Sequence, residues 1–130
     1  MSNQIIRAAF AARLVSWASS NGVTIVGENE TDDAAADGTY VRVALRPKES
    51  RNNTLCGAEH QGAWRMEVVA PVGSGIAAVD DIVDGLLALF PSGLNMDGVR
   101  VIAPPRVRRG HADRTPGYYR VPVSVRYLVA

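Results

Sequence analysis

Apolar and polar residues alternate in several segments of this chain, as they do in strands that bury one face. The longest strict alternation runs through residues 119–129, and shorter ones cover residues 39–46 and 64–70. Each is typical of a half-buried β-strand. Short apolar runs at residues 23–26 and 99–103 indicate two further strands. The pattern therefore predicts a sheet of about five strands.

Two other segments repeat apolar residues at the spacing of an amphipathic helix. The first stripe is Ile6, Phe10, Leu14 and Trp17, and the second is Ile76, Val79, Val83, Leu86 and Phe90. Ser2 or Asn3 can cap the first helix, and Asn21 with Gly22 can end it. Pro91 ends the second helix. Two helices with one apolar stripe each are expected to lie side by side on the sheet.

These patterns predict an α+β fold, a two-layer sandwich in which one mostly antiparallel sheet carries both helices on one face. Because Pro122 cannot donate a ladder hydrogen bond, we expect the last strand to lie at an edge or to carry a bulge. The polar segment 48–62 is predicted to be a long, mobile hairpin loop. Since the sequence contains no repeat and no linker, residues 1–130 are expected to form a single domain.

The composition excludes several classes of protein but selects none. The 130 residues are 47% hydrophobic and 21% charged, with a net charge of +1, values that are ordinary for a soluble globular protein. The balanced charge gives no overall attraction to nucleic acid or membranes. Cys56 is the only cysteine, so an intramolecular disulfide is impossible and a reducing compartment is expected. No segment is apolar for long enough to span a membrane.

The distribution of charge is more informative than its sum, because acidic and basic residues cluster in different segments. The candidate contact residues are Glu28, Asp32, Asp33 and Asp37 on the acidic side, and Arg46, Lys48, Arg51, Arg106, Arg108, Arg109 and Arg114 on the basic side. These clusters are either solvated loops or the two halves of a head-to-tail contact between subunits. Phosphate binding by the arginine-rich segment is a third interpretation.

Candidate catalytic and metal-binding groups are few and incomplete. They are the aspartates Asp80, Asp81 and Asp84, the pair Cys56 and His60, the distant His111, and the turn at residues 73–75. Acidic residues near the start of a helix are favoured by the helix dipole, and a zinc site needs more ligands than the pair supplies. The turn has neither the lysine of a P-loop nor the spacing of a dinucleotide fingerprint. We therefore expect no catalytic residues, no metal and no cofactor.

The whole chain resembles a known family through a series of short motifs in order. The motifs are IIRAAFAARL at 5–14 with Trp17 and Ala18, ADGTYVR at 36–42, VVAP at 68–71 with its glycine turn, LFP at 89–91, and VPVSV at 121–125. Together they resemble the tail terminator-like, or tail completion, proteins of long-tailed bacteriophages. The resemblance spans nearly all of the sequence, although none of the motifs is a chemical fingerprint.

The resemblance implies a non-enzymatic structural subunit of a phage or prophage. Such a subunit forms a ring, expected to be a hexamer, that caps the tail tube, ends its polymerisation and offers the head-joining surface. The implied partners are other copies of the chain, the tail tube protein and a head–tail connector protein, with nucleic acid only as the passing genome. The implied location is the virion tail, after assembly in the host cytoplasm. A small nucleic-acid-binding module that uses the arginine-rich loops is the alternative.

Overall fold

Two helices and one sheet make up the part of the chain that the structure, a computed structural model, describes: residues 3–27, 39–47, 51–54, 57–71, 73, 77–112 and 118–129. In chain order the elements are α1 (Asn3–Asn21), β1 (Thr24–Val26), β2 (Tyr40–Pro47), β3 (Arg51–Thr54), β4 (Gly57–Pro71), α2 (Ala77–Leu89), β5 (Asn95–Met96), β6 (Val99–Val101), β7 (Arg106–Val107), β8 (His111–Ala112) and β9 (Tyr118–Val129). Both helices lie where the apolar stripes predicted them.

The strands follow the order β1-β2-β4-β9-β6-β5, and β3 pairs with β4 while β7 and β8 pair with β9. Only β1 and β2 are parallel, and every other pair is antiparallel. The predicted α+β class is confirmed. However, the predicted number of about five strands was too low, because the sheet is larger and curled. The additional strands are short segments that carry no alternation long enough to detect.

The polar segment 48–62 was predicted to be a loop, and this was wrong for most of its length. Strand β3 pairs with the start of β4, with Arg51 opposite Glu59 and Thr54 opposite Gly57. Its strands were missed because the segment has no alternation of apolar residues. The hydrogen bonds that pair strands join backbone atoms only, so polar segments can also form them. Because the last pair between β4 and β9 is His60 with Val129, this hairpin extends past the end of β9. Residues 48–50 and 55–56 lie outside the described part.

Strand β9 lies inside the sheet, so the prediction that Pro122 marks an edge strand was also wrong. β4 pairs with one side of β9, and β6, β7 and β8 pair with the other. The Pro122 carbonyl accepts a hydrogen bond from the Arg108 N–H. In an antiparallel strand the N–H and C=O of one residue point to the same side. The backbone nitrogen of Pro122, which carries no hydrogen, therefore points toward the gap between β7 and β8. The hydrogen bonds between β9 and β4 are not interrupted.

One apolar core joins both helices to one face of the sheet. Its buried strand residues are Val41, Val43 and Leu45 of β2, Trp64, Met66, Val68 and Ala70 of β4, Val99 and Val101 of β6, and the odd-numbered residues 121–129 of β9. Its buried helix residues are Ile6, Phe10 and Leu14 of α1, and Val79, Val83 and Leu86 of α2. The strand residues keep the alternation seen in the sequence, since successive side chains point to opposite faces. Both helices therefore cover the same face, as predicted.

Phe10 is the centre of this core. Its ring stacks on Trp64 with centroids 5.2 Å apart, and it also contacts Phe90 at 5.5 Å and Tyr127 at 5.8 Å. Such aromatic pairs add stabilisation beyond the area they bury. Because these partners belong to β4, the end of α2 and β9, one side chain of α1 ties together both layers of the fold.

Two contacts fix the helices against each other. The Arg13 side chain donates from Nε to the Leu89 carbonyl at 2.6 Å, at the end of α2, where the helix dipole favours a cation. At Gly85 an added Cβ would lie 2.7 Å from the Trp17 ring, so the absence of a side chain lets that ring lie directly on α2. The helix layer therefore packs as one unit on the sheet.

We predict that Phe10→Ala lowers the free energy of unfolding by about 3–5 kcal/mol, because it removes a fully buried ring and leaves a cavity. Chemical denaturation measures the change. Val15→Ala is the matched control on the same helix, since Val15 is 54% exposed, and it should change stability by less than about 1 kcal/mol. Equal effects of the two substitutions would contradict the position of α1.

Candidate interaction surface, an arginine-rich sheet face

The sheet face opposite the helices is rich in arginine. Register places Arg46, Ala63 and Arg126 side by side across β2, β4 and β9. The neighbouring row joins Arg65, Ser124 and Arg106, because Ser124 pairs with both arginines. The arginines of this face are Arg42, Arg46, Arg65, Arg100, Arg106, Arg108, Arg120 and Arg126. Neighbouring strands lie about 4.8 Å apart, so several guanidinium groups share a small area.

Glu67 is the acidic residue at the centre of this face. Its carboxylate pairs with Arg120 at 2.6 Å and with Arg65 at 3.1 Å, and its side chain is only 13% exposed. The Nε atoms of Arg65 and Arg120 are buried and have no hydrogen-bond partner in the described structure. The charge-assisted hydrogen bonds between these guanidinium groups and the Glu67 carboxylate are stronger than bonds between neutral groups. Glu67 therefore holds two of the arginines in place on the sheet.

A concave groove of about 480 Å³ opens on the same face, beside this network. Four arginines line it, Arg46, Arg106, Arg108 and Arg126, together with apolar groups such as Ile102. We call this surface the arginine groove. No acidic side chain lines it within the described part of the chain. The strands β2 and β9 and the segment 102–108 thus bring together cations that are far apart in sequence.

Gly62 and Tyr127 form part of the groove lining and lie opposite each other in the β4–β9 ladder. An added Cβ at Gly62 would lie 2.6 Å from the Tyr127 hydroxyl oxygen. A larger residue there would have to displace the ring or the neighbouring backbone. Burial raises the pKa of the Tyr127 phenol above its ordinary value, because the ionised form would lose hydration. The Tyr127 phenol is therefore neutral, and its ring belongs to the aromatic core on the other face of the sheet.

The chemistry of the groove is suited to anions. Guanidinium groups bind carboxylates and phosphates in a two-point geometry. Arg46, Arg106, Arg108 and Arg126 pair with no described carboxylate, and like charges held close together repel each other. An anionic partner would relieve that repulsion, so the arrangement favours contact with an acidic surface.

Three of the residues predicted from charge alone, Arg46, Arg106 and Arg108, meet in the arginine groove. Arg109 is exposed next to it but does not line it. Arg126 was missed, although the alternation of the last strand already placed it on the face away from the core. Lys48, Arg114 and the acidic residues Glu28, Asp32, Asp33 and Asp37 lie outside the described part, as does the Arg51 side chain. Their role in an interface stays a prediction.

The other chemical candidates form no site in the described structure. Asp80, Asp81 and Asp84 are all exposed, and no group of three or more potential metal ligands occurs among the described residues. Cys56 and the side chains of His60 and His111 lie outside them. Neither described helix is long and apolar enough to cross a membrane.

We predict that Glu67→Gln lowers the free energy of unfolding by about 1–3 kcal/mol, because two arginines lose their charged acceptor. Thermal or chemical denaturation measures the loss. Asp84→Asn serves as the control, because Asp84 is exposed, and its effect should stay within about 0.5 kcal/mol. A Glu67 variant as stable as the wild type would show that the ion pairs do not organise this face.

Comparison with known proteins identifies the family. The family model described as phage tail terminator protein matches residues 5–127. A solved structure that is 30% identical in sequence covers 100% of this chain and 96% of its own, with a TM-score of 0.81. No match was found among curated protein sequences. Because the family model covers almost the whole sequence, this chain belongs to the phage tail terminator family.

Proposed function

We propose that this protein is a non-catalytic subunit of a ring, a hexamer, that caps the phage tail tube. The ring ends tube polymerisation and provides the surface to which the head is joined. Family membership supports a structural role in the tail. The observation that carries the proposal for this chain is the arginine groove. It is a preformed surface on the sheet that four arginines and no described acidic residue line.

A ring requires contacts between two different surfaces of the same subunit. Such head-to-tail contacts close into a ring when the rotation between neighbours is right. The arginine groove supplies one charged surface, and charge complementarity would set the register between neighbours. The aromatic core around Phe10 supports the same proposal, because it fixes the groove to both helices.

The sequence suggests which residues complete this contact. We place Arg46, Arg106 and Arg108 at its centre, because they line the groove. Lys48, Arg51, Arg109 and Arg114 are proposed contacts around it, and Glu28, Asp32, Asp33 and Asp37 are proposed acidic contacts from a neighbouring subunit. These outer basic contacts and the acidic contacts are proposed from charge and position along the chain alone.

The proposed partners are further copies of this chain, the tail tube protein and a head–tail connector protein. The protein acts as one domain, residues 1–130, and needs no cofactor for this role. It is assembled in the host cytoplasm of a phage or prophage and remains in the virion tail. Nucleic acid meets the ring only as the genome that passes through it.

We predict that Arg108→Glu shifts ring formation to concentrations at least about tenfold higher, because it places a carboxylate among the remaining arginines. Light scattering over a range of concentrations, with electron microscopy of the large species, measures assembly with and without tail tubes. Arg100→Glu is the matched control, since this exposed arginine does not line the groove and is not a proposed contact.

Two results would contradict the proposal. If the wild-type chain remains monomeric both alone and with tail tubes, it does not act as a terminator ring. If Arg108→Glu assembles as readily as the wild type, the arginine groove is not part of the contact.

Nucleic-acid binding is the second candidate function. The four arginines of the groove favour it, because the phosphates of nucleic acid are anions. Binding through arginine–phosphate contacts must weaken steeply as salt concentration rises. We predict that the wild-type protein does not bind duplex or single-stranded DNA at physiological salt. A fluorescence anisotropy titration with labelled DNA measures this binding. Micromolar binding that falls with salt and is lost in Arg126→Glu would favour the nucleic-acid function instead.

A further inference from the structure

Helix α2 presents an acidic ridge on the opposite side of the molecule from the arginine groove. Asp80, Asp81 and Asp84 are exposed and lie within an arc of about 100° around the helix axis, given the helical period. Val79, Val83 and Leu86 are buried in the core, so the arc faces away from the sheet. We call these three aspartates the acidic ridge. None of them pairs with a described basic side chain.

The ridge and the groove cannot meet within one subunit. The ridge belongs to the helix layer, whereas the groove lies on the sheet face that the helices do not cover. A contact between them therefore requires two copies, and it joins two different surfaces. This is the head-to-tail type of contact that a ring needs.

We infer that the acidic ridge of one copy docks in the arginine groove of the next copy, an inference that rests on the proposed ring. Charge complementarity carries it. Three carboxylates without a described partner match four guanidinium groups without one, and two-point arginine–carboxylate bonds can form between them. The ridge is a different acidic surface from residues 28–37, and the described structure gives it a fixed position on a helix.

The apolar surroundings of both surfaces also match. Ile102 in the groove lining is 37% exposed, and Ala103 and Pro104 beside it also line the groove. Beside the aspartates, α2 exposes the small apolar residues Ala77, Ala78 and Ala88. Arginine is enriched at protein interfaces, and surrounding contacts that exclude water strengthen the few residues that dominate binding.

Nucleic acid fits this groove less well. Binding of single strands combines a basic track with aromatic rings on which bases stack. The aromatic residue in the groove lining is Tyr127, which is 1% exposed, so its ring face is not open to a base. Arginine–carboxylate pairs, in contrast, need no stacking platform.

Charge reversal tests the inference with two variants of the full chain. The ridge variant carries Asp80→Lys, Asp81→Lys and Asp84→Lys, and the groove variant carries Arg106→Glu, Arg108→Glu and Arg126→Glu. Each alone should need at least about tenfold more protein to assemble than the wild type, because like charges now face each other. An equimolar mixture should recover assembly, since every ridge then finds a groove of opposite charge in the other variant.

Three controls keep the result interpretable. Circular dichroism and thermal unfolding establish that each variant is folded. The milder variants Asp80→Asn with Asp84→Asn, and Arg108→Gln with Arg126→Gln, should weaken assembly in the same direction if a reversed variant does not fold. Arg100→Glu changes an exposed arginine outside the groove and should assemble as the wild type does.

Rescue by mixing, seen as closed rings by electron microscopy, would support the contact, because neither loss of folding nor non-specific attraction between oppositely charged variants produces rings. A ridge variant that assembles normally, or a mixture that does not recover, would overturn the inference. If the wild type forms rings in that case, the proposed function stands and another acidic surface makes the contact. If the wild type never forms rings, even with tail tubes, the proposed function fails together with the inference.

Discussion

The register between β4 and β9 is the constraint on which the rest of this structure depends. The two strands pair over twelve consecutive residues, from His60 with Val129 to Pro71 with Tyr118. A shift of one residue would move every side chain to the other face. In the observed register Trp64 and Tyr127 point into the core while Arg126 points outward. The same register therefore forms both the aromatic core and the basic face.

The rigidity of the subunit follows from what packs on that ladder. Phe10 contacts aromatic rings of β4, β9 and the end of α2, and Arg13 binds the last turn of α2. A groove attached to such a core keeps its shape before a partner arrives, which reduces the cost of ordering on binding. The crowded arginines oppose stability, and Glu67 offsets part of this repulsion through its two ion pairs. The arginine side chains thus repel one another on the face that is proposed to bind a neighbouring subunit.

The sequence predicted those features of the fold that depend on the periodicity of apolar residues. Helices α1 and α2 and strands β2, β4 and β9 were found, because each buries one stripe or one face. Strand β3 was missed because its residues are polar, and β9 was misplaced because the missing donor of Pro122 faces a gap in the adjacent strand. Arg106 and Arg108 were identified from local charge. Their proximity to Arg46 and Arg126 depends on strand register, which the sequence does not reveal.

The most direct test is an electron cryomicroscopy structure of the protein assembled on tail tubes. The account predicts a ring in which the arginine groove of each subunit is buried against α2 of its neighbour, with Asp80 and Asp84 within bonding distance of Arg106, Arg108 or Arg126. A ring in which the groove faces solvent, the tube or the passing DNA, with α2 away from the contact, would contradict the account.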